Sequence, residues 1–487
     1  MRILSMLDSS VDESVGTPQM KLMIEDVLKL DHVDRKNMGD LSGNIVKGVS
    51  TDSRTVRPGD LFFALRGEKF DGHRFLREAF DKGAVAAVVE SAAKLGPPDE
   101  MRNYPVVVVR STIAALGKLA NLYRTTFNIP IIAISGSSGK TVTKDMVAAV
   151  LGTEYRVLST EGNLNNQIGV PLMLFRLEKD QEMAVIEMGS NHFGEIAHLC
   201  EVAEPTYGLI TNIGRAHLEF FESVEGVAKA KGELFEWLSM VEGRQSVAFV
   251  NADDPLVLRE SERVKNKITF GFESSDVDVR GIYLGMNQQC QPKFEIQSQW
   301  LSMNDVIELH VTGRHAIYSA LVAVAVGLKF AVKPDRIKCS LEQFTSSKGR
   351  MEILKVGGVT ILNDTYNSNP DSAIAALQTL AVIRCEGKKI AVLGDMLELG
   401  EGSTEEHAKV GVVFSDLGLE YLLTFGPHSK STAAAAKAWI SRHFGDKAAL
   451  IGDLIELVKA GDAVLVKGSR GMRMEEVIKA LTEEFKD

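Results

Sequence analysis

The segment Gly136-Ser137-Ser138-Gly139-Lys140-Thr141 carries the plainest chemical signal in the chain. Two glycines let backbone N–H groups turn toward one point, and a helix starting at Lys140 would add its positive end there. Lys140 can reach terminal phosphate oxygens, and the Thr141 hydroxyl is a hard oxygen ligand of the kind Mg²⁺ takes. The apolar run Ile131-Ile132-Ala133-Ile134-Ser135 precedes the loop, as a phosphate loop requires. The spacing is shorter than the strict Gly-x4-Gly-Lys-Thr pattern, because position 134 is Ile. A serine–glycine turn capping a helix is the plain alternative. No Asn-Lys-x-Asp guanine motif follows, which disfavours a GTPase. Glu187, ending another apolar run, offers a carboxylate.

These residues need elements to hold them. The loop lies between a strand expected over 131–135 and a helix over 140–151. Strands over 184–187, 209–212 and 247–251 alternate with helices over 194–203 and 224–240. Buried strands alternating with helices predict a mainly parallel sheet covered on both faces. Short β pieces are expected over 268–312, then a helix over 315–330. The alternation restarts after Lys348-Gly349. Strands at 360–362, 390–393, 421–425 and 463–466 alternate with helices at 371–383, 404–414, 429–440, 452–459 and 474–485, a doubly wound pattern. Upstream, short apolar runs at 61–65, 84–89 and 105–109 flank a helical stretch over 73–82. Helical spacing over 20–30 and 112–127 completes a small mixed α/β domain.

Length and composition agree. At roughly 150 residues per domain, 487 residues make about three. The expected division is 1–127, with 1–19 a loose extension, then 128–346, then 347–487. Hydrophobic residues at 45% and charged residues at 25% exclude disorder as the main state. With 55 basic and 65 acidic residues the charge is −10, which argues against a general nucleic-acid binder or a polybasic membrane protein. An acidic chain can still bind anions through a local device. Cys200, Cys290, Cys339 and Cys385 form no Cys-x-x-Cys pair, so reduced thiols in a cytoplasmic compartment are expected. No apolar run reaches 18 residues, so membrane insertion is not expected. The opening residues lack the apolar region of a secretory signal.

The loop is followed, in order, by Glu161-Gly-Asn-Leu-Asn-Asn166, Glu187-Met-Gly189, Thr211-Asn-Ile-Gly214, Ala216-His-Leu-Glu219, Ala230-Lys-Gly-Glu233 and Asn251-Ala-Asp-Asp-Pro255. With these the chain resembles the Mur ligases, the ATP-dependent amino-acid ligases of peptidoglycan synthesis. Further segments narrow the branch: Thr51-Asp-Ser-Arg54, Pro58–Leu65, Phe70-Asp-Gly-His73, Gly349-Arg-Met-Glu352, Asn363–Ser372, Val392–Gly400 and Lys467-Gly-Ser-Arg-Gly471. They imply a branch that joins D-alanyl-D-alanine to UDP-N-acetylmuramoyl-tripeptide. One departure stands out. Ala316 and Ser319 occupy positions where the family usually carries asparagines near the adenine, which puts those contacts in question.

The resemblance implies a three-domain α/β architecture: a UDP-binding domain, a central P-loop ATPase domain and a C-terminal Rossmann-like domain that closes over ATP. It implies that the tripeptide carboxylate is phosphorylated to an acyl phosphate, which the dipeptide amine then attacks. The nucleotide would be held by Gly136, Ser137, Ser138, Gly139, Lys140, Thr141, Arg350 and Asp364. Two Mg²⁺ ions would take ligands from Thr141, Glu187, His217 and Lys231, the lysine being carbamylated. Lys140, His217 and Lys231 would be the catalytic residues. Ser53 and Arg54 would touch the UDP part, and Thr160, Asn163, Asn165 and Asn166 the sugar peptide. Tyr366, Asn367 and Asn369 would meet dipeptide or nucleotide, and Lys467 and Arg470 a substrate carboxylate. The implied partners are small molecules only, with a monomer expected. The competing readings are a Mur-type ligase with another substrate, such as a folylpolyglutamate-type enzyme, and a P-loop ATPase acting as a regulator.

Overall fold

A computed structural model describes residues 22–30, 32–36, 45–67, 70–91, 104–241, 246–301 and 305–486. The expected loose extension at 1–19 lies outside them. The chain divides into two compact units: Met1–Ile131 with Leu158–Met188 and His198–Pro205, and Ile132–Val157 with Gly189–Ala197 and Thr206–Asp487.

The first unit contains a five-stranded sheet in the order His32–Lys36, Val106–Val109, Ala86–Glu90, Asp60–Phe63 and Gly48–Ser50. The last four run parallel, and His32–Lys36 pairs antiparallel with Val106–Val109. Phe62, Leu76, Ala79 and Val89 pack one core beneath the helix Leu76–Asp81. The helix Thr112–Arg124 is capped by Ser111, whose side chain accepts from Ala114 N. It is tied to the later segments of this unit by Tyr123 Oη donating to Leu177 O (2.7 Å) and buried Arg124 Nε donating to Ala203 O (2.5 Å). The helical spacing at 20–30 resolves differently. Leu22–Met23 pairs with Ile45–Val46, and the helix Ile24–Val27 is a single turn. Pairing with a distant strand overrides local periodicity there.

In the second unit the strands Ile131–Ser135, Tyr207–Ile210, Val247–Asn251, Lys267–Gly271 and Val279–Met286 lie side by side and parallel. Pro292–Ser298 and Asp305–Glu308 add an antiparallel edge. Helices Lys140–Leu151 and Ala316–Lys329 pack on each other. Gly327 permits that approach, since a Cβ there would sit 2.8 Å from Val150 Cγ1.

The same unit holds a six-stranded sheet ordered Glu352–Val356, Val359–Asp364, Ala463–Lys467, Lys389–Gly394, Tyr421–Phe425 and Ile440–Phe444. All but the antiparallel first strand run parallel. Leu377, Leu380 and Phe414, from helices Pro370–Val382 and Ser403–Asp416, form one core cluster. Leu450, Leu454, Val477 and Leu481, from helices Lys447–Leu457 and Glu475–Glu484, form another. Such a doubly wound sheet binds ligands at the carboxyl ends of its strands. One expected element is corrected. The helix at 429–440 is only Lys430–Ala435, and Ile440–Phe444 is an edge strand paired with Tyr421–Phe425. The alanine run favours helix, but the β-prone residues after it find a parallel partner. Among the described residues no helix is long and apolar enough to cross a membrane.

Candidate functional site

The loop at 136–141 is built as its glycines require. Gly136 has φ +138° and Gly139, which precedes the helix Lys140–Leu151, has φ +77°. The end of the neighbouring strand holds the loop. Ser137 N donates to Asn212 O (3.0 Å) and Ser138 N to Asn212 Oδ1 (3.0 Å). Asn212 Nδ2 and Thr211 Oγ1 both donate to Ser138 O, at 3.0 and 2.7 Å. Ser137 Oγ bonds both Gly214 N (2.9 Å) and Gly214 O (3.2 Å). The Asn251–Pro255 segment braces this loop in turn. Asn251 Nδ2 donates to Thr211 O (3.3 Å) and Asp254 Oδ2 accepts from Ile213 N (2.8 Å). Lys140 Nζ donates to Gly136 O (2.7 Å), folded over the loop.

Residues of the C-terminal sheet reach the same loop. Arg350 Nη2 donates to Thr141 Oγ1 (2.8 Å), and its guanidinium lies 3.8 Å from the Tyr366 ring centroid. Arg470 approaches the same ring at 5.7 Å. Asn369 Nδ2 donates to Ser138 Oγ (3.0 Å), while Asn369 Oδ1 accepts from Ser372 N and caps the helix Pro370–Val382. Asp364 Oδ1 accepts from Met351 N (3.1 Å), the residue after Arg350, so it fixes the turn that aims the arginine. Buried Lys467 donates to Asp364 Oδ2 (2.6 Å) and Asn367 O (2.9 Å). Its charge is matched inside the protein, where the sequence suggested an incoming carboxylate as partner. The six residues from Asp364 to Asn369 thus form one braced turn over the phosphate loop.

Lys231, on the helix Val224–Met240, is 1% exposed. Its ammonium donates to Ser190 O (3.0 Å) and Ser190 Oγ (2.7 Å) and lies 5.4 Å from the Phe221 ring centroid. Burial, and after it the charge of Lys140, pushes its pKa down to about 7. The amine is therefore partly neutral at physiological pH. His217 takes a left-handed backbone (φ +55°) and pairs through Nδ1 with Glu398 Oε2 at 2.5 Å. Burial lowers the His217 pKa, and the hydrogen bond from His217 holds Glu398 below the usual carboxylate range. For His217 burial outweighs the hydrogen bond to Glu398, which by itself would raise its pKa.

The remaining expected residues lie on the first unit. Glu187 is buried, its N–H donates to Thr160 Oγ1 (2.9 Å), and Asn165 Nδ2 donates to its Oε1 (2.8 Å). Asn166 Oδ1 accepts from Ile168 N and Gly169 N, so it shapes its own turn, and Asn163 is exposed. Buried Ser53 donates to Glu78 Oε2 (3.0 Å), and exposed Arg54 pairs with Asp52 (2.6 Å). The two positions that depart from the resemblance face helix packing. Ala316 is buried, and the Ser319 and Thr143 hydroxyls meet at 2.9 Å. Sequence reasoning read no role for Ser190, Glu398, Arg215 or Asp371. Ser190 and Glu398 partner expected residues, Asp371 sits inside a matching segment, and Arg215 falls between two of them.

The arrangement can hold a polyphosphate between a glycine loop and a guanidinium, beside a buried amine of lowered pKa. Comparison with known proteins agrees. Residues 45–124 match the pattern described as Mur ligase family, catalytic domain. Residues 134–327 match the Mur ligase middle domain, and 349–470 the Mur ligase, glutamate ligase domain. A UDP-N-acetylmuramoyl-tripeptide--D-alanyl-D-alanine ligase of Bacillus subtilis (strain 168) is 35% identical over 445 residues, covering 90% of this chain and 94% of that protein. The enzyme of the same description from Escherichia coli (strain K12) is 36% identical over 454 residues, 91% and 96% of the two chains. A crystal structure of MurF from Acinetobacter baumannii superposes with TM-score 0.85 at 31% identity, over 96% and 99% of the chains. The MurF ligase of Thermotoga maritima in complex with ADP gives TM-score 0.79 at 30% identity, over 90% and 97%.

Proposed function

The chain belongs to the Mur ligase family, and from that premise we propose that it joins D-alanyl-D-alanine to UDP-N-acetylmuramoyl-tripeptide at the expense of ATP. The products are the UDP-linked pentapeptide, ADP and phosphate, made as a cytoplasmic precursor of peptidoglycan. The observation that carries the reading is the phosphate loop held between Asn212 and the Arg350–Asn369 face.

A carboxylate is a poor electrophile, so it is phosphorylated first. A tripeptide carboxylate oxygen attacks the γ-phosphorus of ATP, and the bond to the bridging oxygen breaks, releasing ADP. The dipeptide amine then attacks the acyl carbon, the C–N bond forms, and phosphate leaves with the oxygen the carboxylate supplied. The amine loses its proton as the amide forms. Such transfer needs positioning and charge cancellation more than covalent help from protein. Lys140, at Gly136 O, and Arg350, at Thr141 Oγ1, supply two cations to the loop. Gly136 to Thr141 supply N–H donors and the helix end. Asp364 and Lys467 position the turn carrying Tyr366, Asn367 and Asn369, and Arg470, 5.7 Å from the Tyr366 ring centroid, would meet a substrate carboxylate. On the first unit Ser53 and Arg54 serve the UDP part, and Thr160, Asn163, Asn165 and Asn166 the sugar peptide.

Two Mg²⁺ ions are part of this proposal: on the second unit Thr141, His217 and a carbamylated Lys231 would serve as ligands, and on the first unit Glu187 offers a carboxylate. The Thr141 hydroxyl and the Glu187 carboxylate are oxygen donors that suit a hard cation, and neutral Lys231 can add CO₂ to give an anionic oxygen ligand with loss of one proton. Among the described residues no three His, Cys, Asp or Glu side chains form a ready cage, so phosphate and water would fill most positions. The ions supply neutralisation of charge on the phosphate oxygens. The test is phosphate release from ATP in the purified protein. Release that needs both UDP-N-acetylmuramoyl-tripeptide and D-alanyl-D-alanine supports the reading. Release indifferent to either substrate counts against it.

A further inference from the structure

Arg215 lies between the phosphate loop and the C-terminal sheet, and nothing so far gives it a task. Its backbone N donates to Asp371 Oδ2 (2.6 Å), and its Nε and Nη2 donate to Asp371 Oδ1 at 3.1 and 2.7 Å. Its Nη1 stands 3.4 Å from Glu406 Oε2, a buried oxygen with no hydrogen bond of its own. Gly214 makes this approach possible, because a Cβ there would lie 2.4 Å from Asp371 Oδ2.

Both ends of the contact are anchored to adjacent loop residues. Gly214, the residue before Arg215, donates its N–H to Ser137 Oγ. Asp371 lies two residues after Asn369, which bonds Ser138 Oγ and caps the helix that carries Asp371. A shift of Asp371 therefore moves Asn369 against the loop. Lys409 also pairs with Glu406 (2.8 Å) and with Glu405 (2.9 Å), so the cluster sets two cations against three carboxylates. Without Arg215 one buried carboxylate oxygen and one helix-start carboxylate lose their nearest cation, and the cost falls on the arrangement that brings them together. An exposed pair far from the loop carries no such coupling.

We propose that Arg215 is a positioning residue, a latch that grips Asp371 and Glu406 and so sets the C-terminal residues over the bound nucleotide. The inference rests on the reading of this loop as the nucleotide site. A latch acts by raising the fraction of molecules in the binding-competent arrangement, and weakening it lowers apparent nucleotide affinity by that fraction.

The experiment measures affinity for a non-hydrolysable ATP analogue, and separately for UDP-N-acetylmuramoyl-tripeptide without nucleotide, by calorimetry on the full chain. The variants are Arg215→Met, Arg215→Lys, Asp371→Asn and the double Arg215→Met/Asp371→Asn. Arg442→Met, which breaks an ion pair with Asp453 elsewhere on the C-terminal sheet, is the control. Arg215→Met is expected to weaken the analogue about tenfold, with Arg215→Lys between it and the parent. Tripeptide affinity stays unchanged, and the control matches the parent. In the double variant the two losses do not multiply, because both break one contact. Unchanged analogue affinity in Arg215→Met overturns the latch, as does multiplication of the losses or an equal loss of tripeptide affinity. If Arg215→Met fails to fold, Arg215→Lys against Asp371→Asn gives the same comparison. A parent that binds the analogue but does not ligate refutes the proposed function and leaves the latch standing.

Discussion

Gly136→Ala is the substitution whose cost follows most directly from geometry. An added Cβ would lie 2.0 Å from Thr211 Oγ1 and 3.0 Å from Thr211 N. The hydroxyl can rotate away only by giving up its 2.7 Å bond to Ser138 O, and the backbone cannot move without disturbing the strand Tyr207–Ile210 that precedes it. The φ of +138° is itself glycine territory, worth about 1–3 kcal/mol to an alanine. The lost hydrogen bond adds about 0.5–1.5 kcal/mol. The expected cost is thus about 2–4 kcal/mol, read as a lower melting temperature and, where the loop shifts instead, as roughly 100-fold slower phosphate transfer. Gly139→Ala is the internal comparison. Its φ is +77° but nothing lies within 4 Å of the added methyl, so about 1 kcal/mol is expected. Thr211→Ala removes the clashing oxygen, and Gly136→Ala/Thr211→Ala should cost less than the two single changes added together. The assay is thermal unfolding plus single-turnover phosphate release on all four variants. Gly136→Ala as mild as Gly139→Ala, or strict additivity with Thr211→Ala, would refute the close-contact argument.

Lys140→Ala should remove nearly all ligation while leaving the melting temperature within a few degrees, because it takes the cation from the developing γ-phosphate charge; near-normal turnover would sink the phosphate-loop assignment. Lys231→Ala should lose activity while folding normally, and ¹³C-bicarbonate should yield a carbamate carbon resonance in the parent that this variant lacks; Lys229→Ala should keep it. For pH, His407 is held neutral by geometry, with Nδ1 donating to Ser403 O (2.7 Å) and Nε2 accepting from Met396 N (3.0 Å). Burial lowers its pKa, so the unfolded chain takes up the proton first as pH falls. Its contribution is therefore complete above about 6.5 and is lost as the pH drops from there toward the lowered folded value. His407→Gln, which can still accept from Met396 N, should flatten the fall in melting temperature between about pH 7 and pH 5; an unchanged slope would show that this histidine is not the cause.

What could be read from residues alone was whatever is local. The strand, glycine turn and helix around 131–151 follow from apolar runs and two glycines, and the helix expected over 224–240 is found as Val224–Met240. The partners that make these elements a site are far apart in the chain. His217 meets Glu398, Arg350 meets Thr141, and Arg215 meets Asp371. No spacing rule predicts such pairs, because they depend on how one sheet is placed against another. Lys467 shows the same limit. Its position before a helix suggested an anion from outside, whereas the fold supplies Asp364 from the adjacent parallel strand. The strand Ile440–Phe444 was hidden by an alanine-rich stretch whose propensity is helical until the sheet edge offers a partner.

The central claim is that the tripeptide carboxylate is activated by direct phosphoryl transfer. It is tested most directly by supplying UDP-N-acetylmuramoyl-tripeptide with ¹⁸O in the reacting carboxylate, together with ATP and D-alanyl-D-alanine, and measuring the mass of the released phosphate. One carboxylate oxygen should leave with each phosphate formed, matched one for one by amide product. Unlabelled phosphate accompanying amide formation would contradict the account.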